Sequence, residues 1–136
     1  MMRVERIAAA GLGAAALLLA AGAASAQGAA GESMFKDNCA ACHQPDGKGV
    51  AGAFPALAGN SFVQGPPKDV AGVVLNGRGG MPSFRGELSR AQIAQILTYV
   101  RSAWGNAAPA IDTATVEAAP GGDAAAPPEE AILGFH

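Results

Sequence analysis

The chain has 136 residues, of which 50% are hydrophobic and only 5% aromatic, and its formal net charge is −2. The charge is unevenly placed. Residues 27–106 carry seven Lys or Arg against five Asp or Glu, whereas residues 107–136 carry five acidic residues and no basic ones. A weakly basic body followed by an acidic segment argues against nucleic-acid binding. The length allows one small domain after the N-terminal segment described next.

The first 26 residues have the three parts of a secretory signal. Arg3 and Arg6 give a positive start, an apolar stretch follows, and residues 24–26 form an Ala-Ser-Ala cleavage site. An uncleaved membrane anchor is the alternative. The apolar stretch is rich in Ala and Gly and short for a bilayer, which takes about 20 helical residues. We therefore predict a signal peptide at residues 1–26 and export of the chain to the periplasm.

The first predicted helix of the domain, residues 31–42, carries the most informative motif. Cys39, Cys42 and His43 form the C-x-x-C-H pattern of covalent c-type haem attachment. Thiols at positions i and i+3 share one helical face, so both can add to vinyl groups on one edge of a porphyrin. The adjacent imidazole can then bind the iron as proximal ligand. Phe35 lies on the same helical face as Cys39 and is predicted to pack against another helix.

Three other uses of these cysteines are weaker. A zinc site needs about four ligands, and the chain holds two Cys and two His, one of them the C-terminal His136. A thioredoxin-like dithiol calls for a βαβ pattern around it, which the sequence lacks. A disulfide could close in an oxidising compartment, but it would leave His43 without a role.

A loop and a short helix follow the motif. Residues 44–65 are predicted to be loop because Gly and Pro recur throughout them. A haem-ligating His normally donates its second ring N–H to a carbonyl or carboxylate, and a carbonyl of this loop is the natural acceptor. A helix is predicted over residues 67–76, because Pro67 suits its first position and Gly77 suits the position past its end.

Met81 is the main candidate for a distal iron ligand. It stands in a loop rich in Gly and fixed by Pro, and a thioether suits haem iron and raises its potential. A lone Met is more often core, but Met1 and Met2 leave with the signal peptide. Met34 lies on the helix beside the anchor and cannot reach the opposite haem face. His136 is the other candidate for this position.

The clearest helical pattern covers residues 88–104. Ser89 and Gln92 have the spacing of a capping box, apolar residues recur at helical spacing, and Gly105 ends the helix. This apolar stripe needs a partner, and the Phe35 face of the first helix is available.

Together these features resemble the class I monohaem cytochromes c. The resemblance covers residues 31–104 and rests on the segments C-A-A-C-H, F-P-A-L-A-G-N and G-M-P-S-F, followed by L-T-Y-V in the last helix. It implies an all-α cytochrome c fold in which three main helices wrap around one covalently attached haem c. The implied cytochrome c domain spans residues 27–106.

The resemblance also implies roles for individual residues. Cys39 and Cys42 would form the thioethers, and His43 and Met81 would be the axial ligands. The Pro55 carbonyl would accept a hydrogen bond from His43.

Further contacts are implied at the edge of the site and at the helix crossing. Leu57 would touch the haem, Arg78 would approach a propionate, and Tyr99 would belong to the crossing of the first and last helices. Residues 104–116 resemble the end of small cytochrome c subunits of periplasmic alcohol and aldehyde dehydrogenases. The whole segment 107–136 is expected to be an acidic tail, disordered or in contact with a partner.

These inferences predict a periplasmic one-electron carrier that is not itself an enzyme. Its expected partners are redox proteins: a dehydrogenase or respiratory complex, which can be membrane-bound, and a downstream oxidase or other cytochrome. One alternative is a haem enzyme or gas-binding protein with a labile sixth site. Another is a dithiol oxidoreductase without haem.

Overall fold

The computed structural model describes residues 27–122. The expected signal peptide, His136 and the end of the acidic tail lie outside the described residues. Helix α1 covers residues 27–38 of the described range. The other helices found there are α2 Ala40–His43, α3 Pro67–Asn76, α4 Arg90–Val100 and α5 Thr113–Glu117. Residues 27–122 contain no β-strand and only two isolated bridges, so the predicted all-α fold is confirmed.

Local signals explain where the helices begin and end. In α3, Pro67 occupies the first position and Gly77, with φ of 73°, follows the last. In α4, the Ser89 hydroxyl accepts from the Gln92 amide at 3.1 Å, and the Ser89 amide donates to the Gln92 side chain at 2.9 Å. This capping box starts the helix at Arg90, two residues later than predicted.

Two helix ends differ from the sequence-based expectation. The first helix is interrupted at Cys39, a turn residue between α1 and α2. The last helix ends at Val100 rather than at residue 104, and residues 101–105 form turns in which Trp104 and Gly105 adopt positive φ, 52° and 86°. These turns direct the chain that follows back across the domain.

An aromatic cluster joins α1 to the end of α4. Phe35 is fully buried, and its ring centroid lies 5.7 Å from that of Tyr99 and 5.1 Å from that of Trp104. Gly31 allows the close approach of the two helices, because a Cβ there would overlap the carbonyl of Gln95. The predicted pairing of the Phe35 face with the last helix is therefore present.

Residues 107–122, called here the C-terminal strap, pack on the domain. Ile111, Val116 and Ala119 are 5%, 0% and 4% exposed, and α5 contacts both α3 and α4. Asp112 caps α5 by accepting from the Thr115 amide at 2.8 Å. Residues 107–122, predicted from the sequence to belong to the acidic tail, therefore pack on the helices, because three spaced apolar side chains are buried there.

Polar side chains of α4 hold the strap along its length. Thr98 donates its hydroxyl to the Ile111 carbonyl at 3.1 Å and accepts from the Ile111 amide at 3.0 Å. Arg90 donates twice to the Gly122 carbonyl, at 3.0 and 2.8 Å.

Among residues 27–122, no helix has the length and hydropathy needed to cross a membrane.

Candidate cofactor site

An apolar cleft of about 790 Å³, including its solvent-open mouth, lies between the helices. Six of the seven predicted cofactor-binding residues line it: Cys39, His43, Pro55, Leu57, Arg78 and Met81. Most of the remaining wall is aliphatic or aromatic and comes from α1, α3, α4 and their connections. Cys42 is half-buried on α2 and does not line the cleft. The fold thus gathers side chains that are far apart in the sequence around one apolar space.

His43 is held in one orientation by a backbone carbonyl. Its side chain is buried, with 8% of the residue exposed, and its Nδ1 lies 2.9 Å from the Pro55 carbonyl oxygen. A carbonyl can only accept, so Nδ1 donates in this contact, and in the neutral imidazole Nε2 then carries the lone pair. The Gly49 amide also donates to the His43 carbonyl at 2.9 Å. The imidazole is therefore prepared to bind a metal through Nε2.

The two thiols are not arranged as a reactive dithiol. Both are free and half-buried, and the Cys42 amide donates to the Cys39 carbonyl at 3.2 Å. Burial, with a smaller effect of neighbouring Cys42, raises the pKa of the Cys39 thiol to about 11. Redox-active C-x-x-C cysteines have a lowered pKa, so this environment disfavours the thioredoxin-like alternative.

Met81 is held in the wall by its own turn. The Arg78 amide donates to the Met81 carbonyl at 3.2 Å, and the Met81 amide donates to the Arg78 carbonyl at 3.0 Å. Gly77 has positive φ, and a Cβ there would overlap the Met81 carbonyl. Within residues 27–122, Met81 is the methionine that lines the cleft, whereas Met34 packs on the core outside it.

Leu57 and Arg78 occupy the edge of the cleft. The Leu57 amide donates to the Gly47 carbonyl at 2.7 Å, which fixes the loop that carries it. The Arg78 guanidinium lies 4.7 Å above the centroid of the Phe62 ring. Arg78 and Phe62 are both exposed and both line the cleft, so they mark its mouth.

Asn106 supports the cleft and was not expected from the sequence. It is 5% exposed. Its side-chain oxygen accepts a hydrogen bond from the Gly59 amide at 2.8 Å. Its side-chain nitrogen donates to the carbonyls of Leu57 and Val100 at 3.0 and 2.8 Å. These bonds fix the Leu57 loop to the end of α4. Its sequence signal, one Asn after Gly105, does not reveal such distant partners.

The residues present fit a haem c. Two thiols can form the covalent attachments of a haem c, and an imidazole and a thioether are the two protein ligands that its iron takes. The apolar wall would cover the porphyrin faces, and the open mouth would expose one edge. An all-α domain with this arrangement belongs to the class of c-type cytochromes.

Comparison with known proteins agrees with this class. The family described as cytochrome c oxidase, cbb3-type, subunit III matches residues 26–100, more than half of the chain. The chain therefore belongs to this family of cytochrome c domains. Cytochromes c are electron-transfer proteins that carry covalently bound haem c, so the predicted family, cofactor and non-enzymatic role are confirmed.

Individual relatives differ greatly in length. The alcohol dehydrogenase (quinone) cytochrome c subunit of Gluconobacter oxydans (strain 621H) is 39% identical over 95 residues, which are 61% of this chain and 20% of that protein. Cytochrome c6 of Leptolyngbya boryana is 40% identical over 78 residues, 55% of this chain and 91% of that protein. A cytochrome c-552 of Thermus thermophilus is 35% identical over 107 residues, 68% of this chain and 71% of that protein. The chain thus spans about a fifth of the first relative.

Proposed function

We propose that the chain is an exported one-electron carrier with one haem c attached to Cys39 and Cys42 and ligated by His43 and Met81. The observation that best supports this proposal is that Cys39, His43 and Met81 line one apolar cleft. In that cleft, Nδ1 of His43 lies 2.9 Å from the Pro55 carbonyl oxygen, which fixes the ring. When bound, the haem supplies an iron that cycles between Fe(III) and Fe(II). A fixed pair of ligands lets this cycle proceed with little rearrangement of the protein.

The chain's own residues tune the site in three ways. The Pro55 carbonyl orients the His43 imidazole and raises its basicity. The Met81 thioether favours a high potential. The apolar wall excludes water, so charges inside the cleft interact more strongly than they would in solvent.

We place the protein in the periplasm, between a dehydrogenase or respiratory complex and a downstream oxidase or cytochrome. The N-terminal signal pattern and the similarity to a dehydrogenase cytochrome c subunit support this placement. Exposed Phe62 and Arg78 at the cleft mouth offer a small surface of mixed character, which suits transient docking. The cytochrome c domain extends over residues 27–122.

Covalent attachment is tested by replacing both thiols. The Cys39→Ala/Cys42→Ala protein should release its haem into acid–acetone, whereas the unsubstituted protein should retain it, because a thioether bond survives denaturation. Haem that stays with the denatured double variant would contradict attachment at these cysteines.

Axial ligation is tested with two methionine variants. Met81→Ala should remove the near-infrared sulfur-to-iron charge-transfer band, admit cyanide or carbon monoxide to the iron and lower the midpoint potential. Met34→Ala is the matched control and should change none of these, because Met34 lies outside the cleft. A Met81→Ala protein with the original spectrum, or an unsubstituted protein that binds carbon monoxide readily, would favour the labile-site alternative.

A further inference from the structure

Arg101, the residue after α4, is the largest fully buried side chain among residues 27–122, with 2% exposed. Its Nη1 donates to the carbonyls of Val63 and Gly65 at 2.7 and 2.9 Å. Its Nε donates to the Pro109 carbonyl at 2.9 Å. Val63 lines the cleft and Pro109 belongs to the strap. One guanidinium therefore joins the strap to the segment that forms the cleft wall.

The positive charge of Arg101 has no carboxylate opposite it in the described part of the chain. The two ion pairs between residues 27 and 122 join other side chains, and the acceptors of Arg101 are neutral carbonyls. Burial lowers the pKa of Arg101 from its ordinary value, yet a guanidinium remains protonated in proteins. Val63, whose carbonyl binds the guanidinium, and Val100, the neighbour of Arg101 in the chain, both line the cleft, so Arg101 lies against residues of the cleft wall.

We infer that Arg101, which fixes the cleft wall to the strap, raises the reduction potential of the haem site through its buried charge. The inference rests on the proposed haem site. Reduction adds one electron and makes the site one charge more negative. A buried positive charge stabilises that reduced state, because the surrounding dielectric is low and salt screens it little. Exposed cations contribute much less.

The test compares midpoint potentials of purified holoproteins at low and high salt. Arg101→Gln removes the charge and should make reduction less favourable on the order of tenfold, which is about 59 mV for one electron. The shift should persist at high salt. Arg101→Lys keeps the charge and should stay closer to the original potential. Arg90→Gln is the control, because Arg90 also binds the strap from α4 but is only half-buried; its shift should be small and vanish with salt.

Several outcomes would overturn the inference. One is a folded Arg101→Gln protein with the original midpoint potential. Another is an equal decrease of the midpoint potential in the Arg101→Gln and Arg101→Lys proteins, which would exclude charge as the cause. If Arg101→Gln yields no folded holoprotein, Arg101→Lys decides. In the Arg101→Lys protein, backbone amides of the strap, such as that of Ile111, should exchange hydrogen faster than in the unsubstituted protein. The midpoint potential should stay near the original value. Unchanged exchange, or a large drop in potential, would refute the role. An unsubstituted protein without bound haem would instead refute the proposed function.

Discussion

Val116 offers the most direct measure of what the strap contributes to stability. It is fully buried in α5, which packs against α3 and α4. Val116→Ala removes two methyl groups worth about 0.8 kcal/mol each, and the cavity left behind adds to the loss. The free energy of unfolding should therefore fall by about 2–3 kcal/mol. Since 1 kcal/mol shifts the Tm of a domain this size by about 4–8 °C, the Tm should fall by roughly 10–20 °C.

The control for this experiment is the next residue of the same helix. Glu117 is exposed, so Glu117→Ala should change the free energy of unfolding by no more than about 0.5 kcal/mol. Thermal and urea denaturation of the two holoproteins, followed by circular dichroism, gives both values. Equal melting temperatures for the two variants would show that α5 does not pack on the domain as described.

Three further variants test other parts of the fold. Gly47→Ala should lower the Tm more than Gly52→Ala. Both residues have positive φ, which costs Ala about 1–2 kcal/mol, but a Cβ at Gly47 would also overlap the Trp104 ring. Equal Tm shifts in the two variants would contradict that packing. Asn106→Ala leaves buried backbone groups unpaired and should lower the free energy of unfolding, measured by urea denaturation, by about 2–4 kcal/mol. A decrease of less than about 1 kcal/mol would argue against the three hydrogen bonds of the Asn106 side chain. The hydrogen bonds with which Asp112 caps α5 lower its pKa, so the stabilising effect of the cap should be lost as the pH falls below about 4. Asp112→Asn should therefore flatten the acid side of the plot of Tm against pH. An unchanged plot would exclude a contribution of the Asp112 carboxylate to stability.

The parts of the fold that the sequence predicted well have local causes. Helix α3 has the predicted bounds because Pro67 and Gly77 act within one turn of its ends. The start of α4 depends on Ser89 and Gln92, three positions apart. The C-x-x-C-H motif is equally local, since one helical turn sets the relation between its residues.

The parts that the sequence missed depend on distant partners. The strap was expected to be a tail because Ile111 and Val116 stand among small and polar residues, and only the surfaces of α3 and α4 give them a place to be buried. Arg101 and Asn106 bind backbone carbonyls, which every residue possesses and which leave no mark in the sequence. Their roles follow from the chain's path and could not be read from residue type.

The aromatic cluster sets a condition on the order of folding events. Phe35 and Trp104 touch only when α1 meets the turn that follows α4, with the ring centroids 5.1 Å apart. Closing so long a loop carries an entropic cost that local helices avoid. Helix formation takes about a microsecond, whereas contacts across long loops form more slowly. Trp104 is the single tryptophan of the chain, so a change in its fluorescence marks the meeting of α1 with this turn. During refolding, that signal should therefore lag behind the far-ultraviolet signal of the helices.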